Sequence, residues 1–170
     1  MGTEIERKFR INSRSQIPSE VIHSPCSLIT QGYLGPRKDC SVRVRVDEQR
    51  GYETKAFITV KGKTKGISRP EFEYPIPVKD ACNLLEIASK MELGEGRPNF
   101  IIEKSRIRWG RWEIDVFLNE NDGLIVAEIE LSSEDEIVEI PAWMDEEVTE
   151  DHRYANLNLA RIPYSLWYMP

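Results

Sequence analysis

Three charged residues near the start of the chain are spaced two positions apart, like the side chains on one face of a strand. They are Glu4, Glu6 and Lys8, and the surrounding residues 4–11 alternate between charged and apolar types. Alternate side chains on a strand lie roughly 6.5–7 Å apart, so two carboxylates at this spacing could hold a divalent ion through oxygen ligands. A single alternating strand is more often the solvated face of a sheet. The motif therefore gains meaning only if the rest of the chain repeats it.

The same alternation recurs in segments that each carry one sign of charge. The basic residues are Arg43, Arg45, Lys61, Lys104 and Arg106, and the acidic residues are Glu71, Glu73, Asp115, Glu128 and Glu130. Guanidinium and ammonium groups bind phosphate oxygens, and carboxylates favour Mg²⁺ or Mn²⁺ over zinc. The pattern predicts a site for a phosphate chain and a divalent metal. Phosphoryl transfer in such a site needs positioning and charge stabilisation rather than a nucleophilic side chain.

The histidines and cysteines do not suggest a second centre. His23 and His152 have no partner at metal-ligand spacing, and we expect them at the surface or in turns. Cys26, Cys40 and Cys82 are odd in number and also lack such spacing. We therefore expect buried thiols in a reducing compartment, without a disulfide framework or a zinc site.

The size and composition of the chain indicate one charged globular domain over residues 1–170. The chain has 29 acidic and 23 basic residues, for a net charge of −6, which argues against general attraction to nucleic acid or anionic membranes. No apolar run approaches the ~18 residues of a membrane span, and the charged start predicts that there is no signal peptide. A cytoplasmic protein is expected, and a homodimer stays open.

The elements that must position the charged residues are mostly strands. Period-two alternation predicts strands at residues 4–11, 30–34, 41–47, 57–61, 71–76, 102–108, 112–117 and 126–131. Each has a polar face and a face rich in Val, Ile, Phe or Trp, and about eight strands can close into a barrel. With the polar faces inward and helices packed outside, the chain would form a β-dominated α+β fold around an eight-stranded antiparallel closed barrel. Charges inside it would need partners, water or a ligand.

Helices are predicted at three places. Apolar residues recur at helical period over residues 78–91, and Gly94 follows as a stop signal. Ser132 and Ser133 precede an acidic stretch, as at a helix N-terminus, and Pro141 would end that segment. A last short helix is predicted at residues 154–160, in a C-terminal segment of about 151–162 that could close one end of the barrel.

Taken in order, the charged segments form a series of short blocks across nearly the whole chain. The blocks are Glu4-Ile5-Glu6-Arg7-Lys8, Gln31-Gly32-Tyr33-Leu34, Arg43-Val44-Arg45, Val60-Lys61-Gly62, Glu71-Phe72-Glu73, Glu103-Lys104-Ser105-Arg106, Asp115-Val116-Phe117, Glu128-Ile129-Glu130 and a C-terminal stretch from Glu147 to Asn156. Each block is weak alone. The ordered set resembles the CYTH superfamily of triphosphate tunnel metalloenzymes, in particular its short bacterial inorganic triphosphatases.

This resemblance implies a tunnel-shaped barrel and metal-dependent hydrolysis of a triphosphate, with Mg²⁺ or Mn²⁺ as cofactor. By position, it assigns the metal side to Glu4, Glu6, Asp115, Glu128 and Glu130. It assigns phosphate binding, and together with Glu4 and Glu6 the catalytic role, to Lys8, Arg43, Arg45, Lys61, Lys104 and Arg106. It leaves open the roles of four additional tunnel residues, Glu71, Glu73, Tyr33 and Tyr154.

Inorganic triphosphate ranks first among the substrates because it needs no site for an organic group. Thiamine triphosphate or a nucleoside triphosphate would need aromatic contacts, for which Trp109, Trp112 and Tyr33 are available, although Trp112 alternates onto the apolar face. Adenylyl cyclases of this kind resemble one another in a His-Phe pair ahead of the Glu-x-Glu-x-Lys motif, and this sequence has none there. A non-catalytic polyphosphate-binding module would keep the cations but would not need the paired carboxylates.

Overall fold

Eight strands form a closed antiparallel barrel in the computed structural model, which describes residues 2–37, 40–91 and 100–167. The strands are β1 (Gly2–Arg10), β2 (Cys26–Arg37), β3 (Cys40–Gln49), β4 (Lys55–Lys61), β5 (Ser68–Pro75), β6 (Ile101–Trp109), β7 (Trp112–Phe117) and β8 (Ile125–Glu130). Their order around the barrel is β1-β5-β4-β3-β2-β6-β7-β8, and β8 pairs with β1 to close it. The predicted eight-stranded barrel is confirmed.

Alternation along each strand sends charged side chains into the barrel and apolar ones outward. On β7, for example, Asp115 is fully buried inside while its neighbour Ile114 is fully buried in an outer apolar cluster with Phe9 and Trp112. Ion pairs join strands that are not sheet neighbours, as between Lys61 of β4 and Glu4 of β1. The charged interior, called the tunnel below, is therefore lined by the polar faces that the sequence predicted.

The main helix packs on the outside of the barrel. Helix α2 (Val78–Ser89), which follows the short α1 (Ser19–Ile22), covers β2, β3 and β4. Its Ala81 and Ala88 are fully buried, and burial of this apolar stripe stabilises the helix more than local propensity does. The helix ends two residues before the predicted Met91, and the predicted stop at Gly94 lies outside the described residues. No helix in the described ranges is both long and apolar enough to cross a membrane.

The helix predicted after Ser132 and Ser133 is wrong. This segment forms turns and extended chain, in which the Glu136 carboxylate accepts a 2.6 Å hydrogen bond from the Ser132 backbone N–H and lies 2.5 Å from the Arg111 guanidinium. The acidic side chain thus ties the segment back to the barrel, instead of starting a helix. Residues 145–149 then run beside β1, where the Val148 N–H donates to the Lys8 carbonyl at 2.8 Å.

The C-terminal segment packs across tunnel residues near one end of the barrel. A 3₁₀ turn at His152–Tyr154 leads into helix α3 (Asn156–Arg161), where residues 154–160 were predicted to be helical. Buried residues of this segment join an apolar cluster that also contains inward-facing side chains. Its members are Tyr33, Phe100, Ile102, Phe117, Leu124, Val126, Val148, Tyr154, Leu159 and Ala160. Closure of this end by the segment stays a prediction.

The cysteines differ from the sequence expectation in one respect. Cys26, Cys40 and Cys82 are free, as expected, but all three are exposed rather than buried. Cys82 lies on the solvent face of α2 and Cys26 begins β2, with its Sγ 3.0 Å from the Ser105 Oγ. The apolar outer clusters are filled by larger aliphatic and aromatic residues instead, so small thiols are not needed there.

Candidate active site

The most deeply buried ion pairs of the tunnel surround Asp115. Its Oδ2 lies 2.5 Å from the Lys104 ammonium, and its two oxygens accept hydrogen bonds of 2.6 Å from Nε and Nη2 of Arg106. Glu128 then accepts from Arg106 at 3.0 Å and also from Lys8. Burial and the repulsion of Arg106 lower the pKa of Lys104 to about 8, although Asp115 and Glu128 oppose the shift. An anionic ligand nearby would stabilise the charged form of Lys104 further.

A second cluster joins β1 to β4 and β5 through Glu4. The Lys61 ammonium lies 2.7 and 2.9 Å from the two Glu4 oxygens and 3.1 Å from Glu71. Arg69 also reaches Glu4, at 2.6 Å, and Glu6, at 3.3 Å. Burial alone would raise the pKa of Glu4, but Lys61 and Arg69 lower it to about 2. Both oxygens of Glu4 are thus engaged by cations of the protein itself.

Carboxylates near this second cluster carry negative charge that the tunnel cations do not fully neutralise. Burial and the Glu4 carboxylate raise the pKa of Glu71, although Lys61 opposes the shift. Burial, together with Glu4, Glu113 and Glu6, likewise raises the pKa of Glu130. A cavity of about 350 Å³ opens here, and its lining residues are Gly2, Thr3, Glu4, Glu71, Phe72, Glu73, Tyr74 and Glu130. A cation bound in this cavity would relieve the repulsion among its carboxylates.

Two arginines on β3 keep donors that the described residues do not use. Nη2 of Arg43 donates to the Thr59 hydroxyl at 3.1 Å and to Glu73 at 3.2 Å, and Nη2 of Arg45 donates to Glu73 at 3.0 Å. The Nε atoms of Arg43 and Arg45 are both buried without a hydrogen-bond partner in the described part of the chain. Leaving such a donor unpaired costs about 1–3 kcal/mol, and more when the group is charged. An anionic ligand could supply the missing acceptors.

The donor chemistry of the tunnel fits a hard divalent metal, but the carboxylates are not assembled around one. Within residues 2–37, 40–91 and 100–167, no three Asp, Glu, His or Cys side chains converge at ligand distance. Glu4 and Glu6 are instead bound to Lys61, Arg69 and Lys8. Metal binding would therefore require these carboxylates to exchange protein cations for the ion. The raised pKa values of Glu71 and Glu130 identify this side of the tunnel as the place where a cation is most favoured.

The structure brings the predicted charged residues together on the inner face. Glu130 lies opposite Glu6 in the β1–β8 register. Tyr33 is buried in the tunnel, where its hydroxyl accepts from Gln31 at 3.3 Å and burial raises its pKa to about 12. Tyr154 instead belongs to the C-terminal packing, with its ring centroid 5.0 Å from that of Trp167. His23 and His152 are exposed and outside the tunnel.

Sequence reasoning missed several polar residues of the tunnel, of which Arg69 makes the closest contacts with the predicted metal side. The others include Gln31, Asp47 and Ser27; Asp47 and Ser27 both contact Arg108. The signal for Arg69 was present, because it stands two positions before Glu71 and continues the alternation of β5. Pro70 hid it, since proline lacks a ladder N–H and marks strand edges or turns.

Comparison with known proteins decides the family. Residues 2–161 match the CYTH domain. This chain belongs to the CYTH domain family. The inorganic triphosphatase of Acetivibrio thermocellus is 42% identical, over 96% of this chain and 97% of that protein. The inorganic triphosphatase of Nitrosomonas europaea is 33% identical, over 93% and 97% respectively.

The CYTH fold is also seen in solved structures. The crystal structure of an inorganic triphosphatase superposes on this barrel with a TM-score of 0.60 and 31% sequence identity, over 95% of this chain and 96% of that chain. CYTH membership at this level of similarity implies that the tunnel works with a metal.

Proposed function

We propose that this chain hydrolyses inorganic triphosphate to diphosphate and phosphate, with Mg²⁺ or Mn²⁺ as cofactor. The observation that carries the proposal is the pair of buried, unpartnered Nε donors on Arg43 and Arg45. They lie on β3, two strands from β5, which carries Glu71 and Glu73 of the cavity. The names of the two relatives, both inorganic triphosphatases, support the same substrate.

The cations of the tunnel would bind substrate by exchanging partners. Lys8, Lys61, Lys104 and Arg106 each contact a carboxylate in this structure. A triphosphate offers several anionic oxygens in one chain, so each cation that leaves a carboxylate gains an ionic partner in the substrate. Arg43 and Arg45 add donors that have no acceptor to lose. The bound chain is thereby oriented along the tunnel, and charge that develops during hydrolysis is stabilised.

The carboxylates would divide between holding metal and holding cations. Glu4, Glu6 and Glu130 lie on the side where a cation is favoured, and we assign the metal to them first. When bound, the ion supplies neutralisation of phosphate charge and activation of water. Asp115 and Glu128, also predicted as metal ligands, are engaged by Lys104, Arg106 and Lys8 in this structure. They therefore orient these cations towards the substrate until binding releases them.

The reaction needs no side-chain nucleophile. A water oxygen forms a bond to the terminal phosphorus and loses a proton to solvent, and the P–O bond to the bridging oxygen breaks, leaving diphosphate with the electron pair. The protein side chains position the chain, exclude bulk water and compensate the charge on the leaving diphosphate.

The aromatic residues favour an inorganic substrate over thiamine or nucleoside triphosphates. Trp112 is buried in the outer core against Phe9, with ring centroids 5.6 Å apart, and Trp109 packs on Trp143 at 5.9 Å. Tyr33 is buried and bonded to Gln31. None of the three predicted aromatic candidates is therefore open to an organic group. The cytoplasmic location stays a prediction. A homodimer stays open.

Phosphate release from inorganic triphosphate, thiamine triphosphate and ATP tests the proposal. We expect fast release from inorganic triphosphate with Mg²⁺ or Mn²⁺ and none with a chelator. Glu4→Gln combined with Glu6→Gln should lower kcat by about 100-fold or more, since the metal side is lost. The matched control combines Glu20→Gln with Glu139→Gln, two exposed carboxylates outside the tunnel. Preference for an organic triphosphate would change the substrate, whereas tight binding without release would indicate a binding module.

A further inference from the structure

Arg69 contacts the two carboxylates to which the metal is first assigned. It lies on the inner face of β5, where its Nε is 2.6 Å from the Glu4 Oε2 and its Nη2 is 3.3 Å from the Glu6 Oε1. One guanidinium therefore bridges both carboxylates of the Glu-x-Glu pair. Without it, these two carboxylates would share one face with only Lys61 and Lys8 as counter-charges.

Lys61 and Arg69 both contact Glu4, but their side chains are buried to different extents. The Lys61 side chain is only 8% exposed and is also held by Glu71, while the Arg69 side chain is 27% exposed. The cavity that Glu4 lines opens on this same side of the barrel. Arg69 is thus the cation of this cluster that can leave its carboxylates with less rearrangement.

A guanidinium and a divalent ion compete for the same oxygen lone pairs. While the guanidinium stays at 2.6 and 3.3 Å from these carboxylate oxygens, its positive charge repels a divalent ion that approaches them. We propose that Arg69 is an internal counter-ion that holds Glu4 and Glu6 together before metal loading and competes with the incoming ion. Arg69 is thus a positioning residue that sets metal affinity. This role rests on the proposed function, because it assumes that Glu4 and Glu6 hold the metal.

Mn²⁺ binding in the absence of phosphate measures this competition directly. Titration calorimetry would compare the wild type with Arg69→Gln, which removes the charge but keeps a hydrogen-bonding side chain. We expect Arg69→Gln to bind Mn²⁺ about tenfold more tightly, because a partly buried competing ion pair has been removed. Its metal-free form should unfold at a lower temperature, and Mn²⁺ should raise that temperature more than it does in the wild type.

Arg108→Gln is the matched control for loss of a tunnel charge. The Arg108 side chain is 34% exposed and contacts Asp47 and Ser27 rather than Glu4 or Glu6. We expect its Mn²⁺ affinity to change by less than about threefold, since only a longer-range repulsion is lost. Equal gains in Mn²⁺ affinity in both variants would show that net charge sets the affinity, and not the contact of Arg69 with both carboxylates. That result would overturn the proposal.

A second variant keeps the test decisive if Arg69→Gln does not fold. Arg69→Lys retains the charge but loses the fork that bridges two carboxylates, so its Mn²⁺ affinity should exceed that of the wild type by a smaller factor. Mn²⁺ binding by the wild type, with no gain in either Arg69 variant, would overturn the role of Arg69 alone. Absence of Mn²⁺ binding in all the proteins would overturn the proposed metal site and this inference with it.

Discussion

At the scale of single residues, the tunnel arginines differ in how many of their donors are used. A guanidinium carries five N–H groups. Arg106 uses Nε, Nη1 and Nη2 on three carboxylates, whereas Arg43 and Arg45 leave Nε buried and unpaired. Arg106 is therefore satisfied in the free protein, and its pKa is raised well above the usual value because Asp115 outweighs the effect of burial. Arg43 and Arg45 are the cations with most to gain from a ligand.

Arg43→Ala should therefore lower kcat/KM for triphosphate, because a phosphate contact is lost in addition to packing. Removal of one charge-assisted contact costs about 1.5–3 kcal/mol, which corresponds to a roughly 10- to 150-fold fall in kcat/KM. Steady-state kinetics at saturating metal measures it. The control is Arg50→Ala, which removes an exposed arginine in the turn after β3. Unchanged kcat and KM in Arg43→Ala would contradict phosphate binding by this residue.

The inward direction of the charged side chains could be predicted from the sequence where charge and a period of two agreed. Glu4, Lys61 and Asp115 face the tunnel because each alternates with apolar neighbours that an outer core must bury. The sequence could not predict which cation pairs with which carboxylate, because the register between distant strands decides the pairs. Arg69 was missed because it and Glu71 flank a proline.

At the scale of elements, helix α2 lies so close to β2 that one position has no room for a side chain. A Cβ at Gly32 would lie 2.9 Å from the Ala88 Cβ, 2.9 Å from the Ile101 Cδ1 and 3.0 Å from the Leu85 Cδ2. The helix covers β2 and β3 through these small contacts. The glycine therefore sets the distance at which α2 packs on the barrel.

Gly32→Ala should destabilise the fold by pushing α2 away from β2. We expect the free energy of unfolding to fall by about 1–3 kcal/mol, the usual cost of overpacking. Urea denaturation measures it. Gly2→Ala is the matched control, because its nearest contact for a new Cβ is the Glu71 carbonyl at an ordinary 3.6 Å. Equal stability of Gly32→Ala and the wild type would show that α2 can shift without loss.

Strands were more predictable than helices in this chain. A period of two with one apolar face predicts a strand independently of its neighbours, and all eight strands formed. The helix expected after Ser132 failed, because Glu136 is bound by Arg111 of a distant turn. A local N-cap pattern cannot reveal such a tertiary competitor. Barrel closure was inferred from the need to bury the apolar faces, but the order of the strands around the barrel could not be predicted from the sequence.

At the scale of the whole molecule, the tunnel is nearly neutral inside an acidic protein. Its described cations are Lys8, Arg43, Arg45, Lys61, Arg69, Lys104, Arg106 and Arg108, and its carboxylates are Glu4, Glu6, Asp47, Glu71, Glu73, Glu113, Asp115, Glu128 and Glu130. The net charge of −6 therefore resides mostly outside the tunnel. Because the two sets are nearly equal in number, the cations that turn to phosphate can be matched by carboxylates that turn to metal.

The ion pairs predict a stability profile with two regimes in the metal-free protein. Lys61 and Arg69 outweigh burial and lower the pKa of Glu4 to about 2 from an ordinary 4.5, so its contribution is full above pH 4.5 and is lost as the pH falls towards 2. Glu71 and Glu130 have raised pKa values, so their protonation above pH 4.5 relieves repulsion instead. Stability should hold or rise slightly on mild acidification and then fall steeply.

Glu4→Gln isolates the acid limb of this profile. The variant should lose on the order of 2–3 kcal/mol of the stability change between about pH 4.5 and pH 2, because the lowered pKa of Glu4 is removed. Urea midpoints across this range measure the change. Glu20→Gln, at an exposed carboxylate of α1, serves as control. An acid limb in Glu4→Gln as steep as that of the wild type would contradict the assignment.

The pairing of β1 has a consequence for how the protein is made. Glu6 lies opposite Glu130 in the β1–β8 register, and Lys8 bonds to Val148, so the first strand finds partners more than a hundred residues later in the chain. A ribosome releases these partners long after β1, and long-range pairing of this kind forms slowly. The nascent polypeptide must therefore carry β1 unpaired on this side until β8 and residues 145–149 have left the ribosome. A ribosome that stalls before β8 leaves a product in which Glu6 and Glu130 never meet.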